Sequence, residues 1–323
     1  MSIGKITEPQ EGIESIVNNN ISWINIQRPT REKLMKLAKF PFHELNIEDC
    51  LSKIQIPKID SYDDHIFVIL NFPFIDRDKG VPRPTQLAIF AGINYLVTIQ
   101  REGLNALKES FQQCKIDEKY RESFMGNSAG YLLHSVIDLL VDGLLHILMK
   151  IEGNLDDIED VVFDEKAAVA REISFLRREI TTLRRLVFPL KRTIFGLSKE
   201  IQRLTEEDLS PYFDNVRDHV DKVIEVLEEA KETIEIFKDT DFMLSTEKSN
   251  KILAILTILF TLSIPASVIA AFYGMNVNLP GGIQTGSATF LGPFTSFFIM
   301  LLVAIVPAIG MIYWFKKEGW LKS

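Results

Sequence analysis

The chain has 323 residues, 46% of them hydrophobic, and a formal net charge of -8. That acidity argues against a nucleic-acid partner, which needs a basic face to meet phosphates. Two cysteines, Cys50 and Cys114, are too few for a disulfide framework, and the first residues hold no apolar core of a cleaved signal peptide, so a reduced cytosolic setting is expected.

Residues 1–125 read as a cytoplasmic α/β domain. WINI (23–26), HIFVILNF (65–72), TQLAIFAG (85–92) and NYLVTIQ (94–100) are β-branched and aromatic runs bounded by turn residues, and the Gly-Ile-Asn between the last two predicts a hairpin. Residues 31–38, 44–52 and 103–113 read as short helices around that sheet. Residues 126–209 turn helical, as two antiparallel segments at 131–163 and 167–199, with Pro189 as a kink point in the second. A third helix opens at Ser210-Pro211, a serine N-cap followed by proline at the first helical position. No stop signal follows until Gly274. About 60 residues of helix reach roughly 95 Å, too long for a compact domain, so residues 210–251 are expected to form a stalk running into a membrane.

The stalk carries a heptad seam, Val216, Val220, Val223, Leu227, Ala230, Ile234 and Phe237, which predicts packing on the two preceding helices. Its acids, Asp214, Asp218, Asp221, Glu225, Glu228, Glu229, Glu232 and Glu235, read mainly as a solvated face. A second stripe, Asp239, Thr246, Leu253, Phe260 and Ser267, recurs every seven residues, with Ser249, Leu256 and Ser263 beside it. It reads either as a pore lining or as an ordinary membrane helix whose hydroxyls bond to its own backbone.

Residues 252–323 form the predicted two-span pore domain. No charged residue or histidine occurs from Ile252 to Phe315. The apolar runs 252–272 and 294–315 each reach roughly 31–33 Å as helix, enough to cross a bilayer core of about 30 Å. Lys248 and Lys251 precede the first run, and Lys316, Lys317 and Lys322 follow the second. The positive-inside rule then puts both termini in the cytoplasm and the uncharged loop 273–293 outside. Two spans cannot enclose a water-filled path, so conduction would need several copies around a symmetry axis. Gly274 ends the first span, and Asn276 beyond it either projects an amide oxygen into that axis or is a polar loop residue after a left-handed cap. A neutral amide suits a hydrated Mg²⁺, which gives up its waters reluctantly.

The Tyr-Gly-Met-Asn at 273–276, the two spans and WFKKEGWL (314–321) resemble the CorA family of magnesium and divalent-cation channels. IEDCL (47–51), PKIDSYDDHIFVIL (57–70), YLLHSVIDLLVD (131–142), LRRLVFPLK (183–191) and PYFDNVRDHV (211–220) follow in the family's order. The resemblance covers residues 20–323. It implies a homopentameric funnel in the plasma membrane: an α+β cytoplasmic domain, a long-helix stalk and two transmembrane helices per subunit. It implies a filter at Gly274, Met275 and Asn276 and a pore lined by Asp239, Leu253, Leu256, Ile264 and Ser267, with Leu253 and Leu256 as a hydrophobic gate. Mg²⁺ would be both cargo and a regulatory ion between neighbouring cytoplasmic domains, at Asp49 with Glu48 beside it. The partner acid of that site falls on Asn215, so Asp214 is the substitute and Mg²⁺-gated closure is in question. The loop after Asn276 also lacks the family's usual acids. Co²⁺, Ni²⁺ or Zn²⁺ transport is the alternative within transport, although Met275 favours the magnesium branch; a non-conducting membrane-anchored scaffold or sensor is the alternative of another class. No phosphate loop, catalytic triad spacing or metal-ligand motif marks an enzyme. The five histidines are dispersed, with His134 and His146 expected as packing residues.

Overall fold

The computed structural model describes residues 12–75, 82–163, 169–275 and 294–319. The chain divides into two compact units, Met1–Thr240 and Asp241–Ser323.

The first unit is α+β. Strands β1 (Ile13–Asn18), β2 (Ile21–Gln27), β3 (Lys58–Ser61), β4 (His65–Ile75), β5 (Pro82–Gly92) and β6 (Tyr95–Gln100) form one sheet in the order β1-β2-β6-β5-β4-β3. Only β2 and β6 run parallel; the other neighbours are antiparallel. The expected hairpin joins β5 to β6. The continuous apolar runs have a simple cause, since both faces of the sheet are covered. Along β4, Ile66, Val68, Leu70 and Phe72 join the core shared with the long helices, while Phe67 and Ile69 join the opposite core under α1 (Arg31–Met35) and α2 (Glu44–Leu51). Trp23 is fully buried; its indole N–H donates to Thr98 Oγ1 at 3.1 Å and its ring meets Phe111 edge-on at 4.7 Å.

Helices α3 (Asn105–Ile116) and α4 (Glu118–Met125) lead to three long ones: α5 (Ala129–Val162), α6 (Ala170–Thr205) and α7 (Ser210–Gly274). Ser128 caps α5, its Oγ accepting from the Tyr131 N–H at 3.0 Å. Pro189 lies inside α6 without ending it, and α6 runs six residues past the expected Lys199 to stop at Glu206, whose φ of 56° is left-handed. Ser210 is the first residue of α7 rather than its cap; its N–H is met by Asp208 Oδ1 at 3.1 Å. Every residue of the expected seam, from Val216 to Phe237, is buried against α5 and α6. Three acids of the supposed solvated face are ion-paired to α6: Glu235 with Arg177 (2.6 Å), Glu228 with Arg184, and Asp221 with Lys191 (2.7 Å). The spacing of seven on both helices is what an antiparallel heptad pair requires, so these pairs fix register as well as charge.

In the second unit, α7 continues to Gly274 and α8 spans Thr295–Lys317. Both are long and apolar enough to cross a membrane, and almost none of their apolar windows is buried within the chain. α5 also meets that length and composition, but half of its window is buried, which the bundle core explains.

Candidate conduction and ion-sensing sites

α7 continues unbroken from the bundle into the first apolar run, and that continuity places every expected pore residue on one helix. Asp239 is exposed and lies 3.3 Å from the Lys238 ammonium, which also holds Glu235 at 2.7 Å. Leu253, Leu256, Ile264 and Ser267 are all exposed on α7. Hydroxyls of the stripe bond to their own helix: Thr246 to the Phe242 carbonyl (2.8 Å), Ser249 to Ser245 (3.0 Å) and Ser263 to Phe260 (2.9 Å). In one chain their polarity is therefore already satisfied, as the plain membrane-helix reading expected. Gly274 is the last residue of α7, and a Cβ there would meet nothing within 4 Å. Within the chain, then, no neighbouring atom requires a glycine there. The Met275 N–H donates to the Phe272 carbonyl at 3.2 Å and closes the last turn. Asn276, Asn278, most of the loop 273–293, Trp320 and Lys322 lie outside the described residues.

The expected regulatory acids meet separate partners. Asp49, on α2, is 2.8 Å from Lys58 Nζ, which also donates to Asp60 at 2.6 Å. Burial alone would lower the Lys58 pKa, but its bonds to the two carboxylates raise it above the ordinary lysine value. Glu48 is exposed beside Asp49. Asp214 is held by Arg217 at 2.9 Å, and Asn215 is exposed next to it. The expected site joins neighbouring copies, so a single chain presents only its halves.

A different cluster forms inside one chain. Asp138 and Asp142 on α5 and His219 on α7 bring ligand atoms within 4.8 Å of one another, the one such group of three among the described residues. His219 Nδ1 is 3.2 Å from Asp142 Oδ1, while Asp138 Oδ1 is buried without a hydrogen-bond partner. Burial raises the Asp138 pKa, and the Asp142 charge raises it further; His134 and His219 pull it down. An orphaned carboxylate oxygen beside a second carboxylate and an imidazole is an arrangement that a divalent cation would complete. The sequence reading missed this site by treating the histidines as dispersed. A signal was there: His134, Asp138, Asp142 and His146 recur every four residues and share one face of α5. His134 does prove to be a packing residue, ringed by Tyr131, Tyr212 and Phe213, with burial lowering its pKa. His146, expected to pack as well, does not: it is exposed, and among the described residues its ring meets the Asp142 carbonyl on its own helix.

Comparison with known proteins places these features in a family context. A family model described as CorA-like Mg²⁺ transporter protein matches residues 18–317. The cobalt/magnesium transport protein CorA of Thermotoga maritima is 27% identical over 305 residues, covering 93% of this chain and 83% of that protein. The complete structure of the CorA magnesium transporter from Methanocaldococcus jannaschii superposes with a TM-score of 0.77 at 21% identity, covering 98% of this chain and 97% of that one. The cytoplasmic domain of ZntB from Vibrio parahaemolyticus superposes with a TM-score of 0.59 at 15% identity, over 71% of this chain and 90% of that one. At such identities the two structures speak for the fold alone.

Proposed function

Because the chain belongs to the CorA-like Mg²⁺ transporter family and is thus a membrane transporter of divalent metal ions, we propose that it is a passive, homopentameric Mg²⁺ channel. The observation that carries this reading is α7 itself: one helix that is charge-free from Ile252 onward and stops on Gly274. Copies of α7 surround an axis in the plasma membrane, with both termini in the cytoplasm and the loop 273–293 outside. α8 faces lipid. The apolar surface that α7 and α8 leave uncovered supports this, since a lone chain in water would not leave it so.

Each part of α7 then has a task. Asn276 in the Gly274-Met275-Asn276 filter offers amide oxygens to the waters of a hydrated ion and releases it readily, as conduction demands. Ser267 and Ile264 line the path behind it. Leu256 and Leu253 form a constriction that dewets when closed. Asp239 gathers cations at the inner mouth. The membrane potential supplies the drive, about 4.6 kcal/mol for a divalent ion at about 100 mV. Cytoplasmic Mg²⁺ closes the pore by binding the closed state more tightly than the open one. The all-oxygen residues that would hold it are Glu48, Asp49 and Asp214 between chains; Asp138, Asp142 and His219 form a separate set within a chain, whose imidazole suits a softer divalent ion. The bound ion supplies positive charge that holds acidic surfaces together.

Uptake into proteoliposomes tests the reading. Wild-type protein should carry Mg²⁺ down an imposed potential, and Asn276→Ala should lose most of that flux. Undiminished flux in the variant would overturn the filter reading, and absence of flux in the wild type would favour a non-conducting scaffold. Repeating the assay with Co²⁺, Ni²⁺ and Zn²⁺ assigns the cargo; faster Co²⁺ or Zn²⁺ than Mg²⁺ flux would replace magnesium as the substrate.

A further inference from the structure

At one end of the sheet, where the parallel strands β2 and β6 finish side by side, the first unit opens into a cleft of about 610 Å³. Its lining differs from the rest of this acidic chain. Among the described residues, Arg28, Lys33, Arg101 and Lys108 contribute four positive charges to the lining, against one carboxylate, Glu102; Gln27, Gln100 and Asn105 are among the neutral polar lining, and Leu104 is the one large apolar residue. Among the described residues no carboxylate pairs with Lys33, Arg101 or Lys108. Arg28 and Glu102 meet at 3.0 Å, but both are largely exposed, so the pair is loose and exchangeable.

The cations are held in place by the backbone. Lys33 Nζ donates to the carbonyls of Gln27 (3.0 Å) and Arg28 (3.3 Å). Gly12 makes room for it: a Cβ there would lie 2.3 Å from that nitrogen. Arg101 donates through Nη2 to the Leu51 carbonyl, while its Nε is buried with no partner. The N-terminus of α3 lies in the same wall. Its N-cap, Leu104, makes no side-chain cap, and no acid occupies its first turn. The orphan N–H groups of that turn add a partial positive charge to the four full ones. A cleft of this size that gathers four cations against one carboxylate has an electrostatic cost which a bound anion relieves. Among the described residues no aromatic ring lines it, so a nucleobase would find nothing there to stack upon.

We propose that this cleft binds a small multivalent anion of the phosphate type, either free pyrophosphate or the phosphate tail of a nucleotide, one per chain. Arg28 and Lys33 grip it from the β2 side, Arg101 and Lys108 from the β6–α3 side, and Glu102 opposes it. The site lies in the first unit and does not depend on the pore reading.

The test uses the full chain in detergent, titrated calorimetrically with pyrophosphate, ATP and adenosine in metal-free, low-salt buffer. Pyrophosphate and ATP should both saturate at one per chain, and adenosine should give no heat. Saturation by both assigns recognition to the phosphates; ATP binding without pyrophosphate binding, or adenosine binding, overturns a phosphate-type site. Arg28→Gln and Lys108→Gln change exposed side chains and should each weaken pyrophosphate about tenfold, the scale of one charge-assisted contact. Glu102→Gln should tighten it, a direction that no unfolding effect produces. Absence of saturable binding, or equal affinity across the wild type and the three variants, refutes the proposal.

Discussion

Glu179 offers a direct test of the bundle's electrostatics. It lies on α6 with 0% of its surface exposed, and among the described residues neither carboxylate oxygen has a hydrogen-bond partner. Burial raises its pKa, with the Lys150 charge pulling the other way, so between the unfolded and folded values the folded chain holds a proton that the unfolded chain releases. An unsatisfied buried polar group costs about 1–3 kcal/mol. Glu179→Met preserves length and bulk and removes that cost. In a unit of this size each kcal/mol moves the midpoint by about 2–4 °C, so the variant should melt several degrees higher at pH 8. The sign of the pH dependence follows from the raised pKa. The contribution of Glu179 is fully present below the unfolded glutamate value, about 4.3, and is lost as pH rises through the folded value. The gain from Glu179→Met should therefore shrink at pH 5, and Glu179→Gln, which still buries a polar group, should gain less at either pH. Circular-dichroism melts of the full chain in detergent at the two pH values measure this. If Glu179→Met is destabilised equally at both, the carboxylate is ionised and paired, and the reasoning fails.

Three further outcomes are expected. Leu183, buried among α5, α6 and α7 next to Leu144 and Leu227, should cost about 2–5 kcal/mol as Leu183→Ala, read from the same melts. Ser128→Ala deletes the bond to the Tyr131 N–H and should cost about 1 kcal/mol, with early exchange of the first amides of α5 as its signature. Leu256→Ser should let water stand in the proposed gate and leave liposomes leaky to Mg²⁺ at high internal Mg²⁺; a variant as tight as wild type would move the gate elsewhere.

The long elements were legible because their signals are strong and repeated. The heptad seam from Val216 to Phe237 is buried as the spacing required, and the start near Ser210 and the stop at Gly274 both hold. The strand runs at 65–72 and 85–92 were legible because burial on both faces makes them continuous apolar runs, although β4 continues to Ile75 and β5 starts at Pro82. What escaped were short and half-polar elements. β1 reads IESIVN and β3 reads KIDS, too polar to stand out, although the left-handed Asn19 in the turn between β1 and β2 marks the missed hairpin. α6 overran its expected end because nothing local stops it before Glu206. The Asp138–Asp142–His219 cluster escaped for another reason: its third member comes from a helix some eighty residues away, and only the packing of α5 on α7 brings it close.

That cluster also bears on how this chain would sense its own cargo. On α7, position 215 carries Asn where the resemblance calls for an acid, and its neighbour Asp214 is engaged by Arg217. On α2, Asp49 is engaged by Lys58, an internal cation already sitting where an ion would be drawn. His219 stands one turn along α7 from Asn215, on the same face, against two carboxylates of which one is orphaned. A sensor built there has an imidazole in its ligand set, and imidazole favours Co²⁺ or Ni²⁺ over Mg²⁺, which prefers oxygen alone. Internal Co²⁺ should therefore slow flux at lower concentration than internal Mg²⁺. His219→Ala should erase about tenfold of that advantage, the scale on which a lost partner lowers metal affinity, while Asp49→Asn should leave the order of the metals unchanged. Equal potency of the two metals in wild type, or an order that follows Asp49 and ignores His219, would return the sensor to the surface between chains.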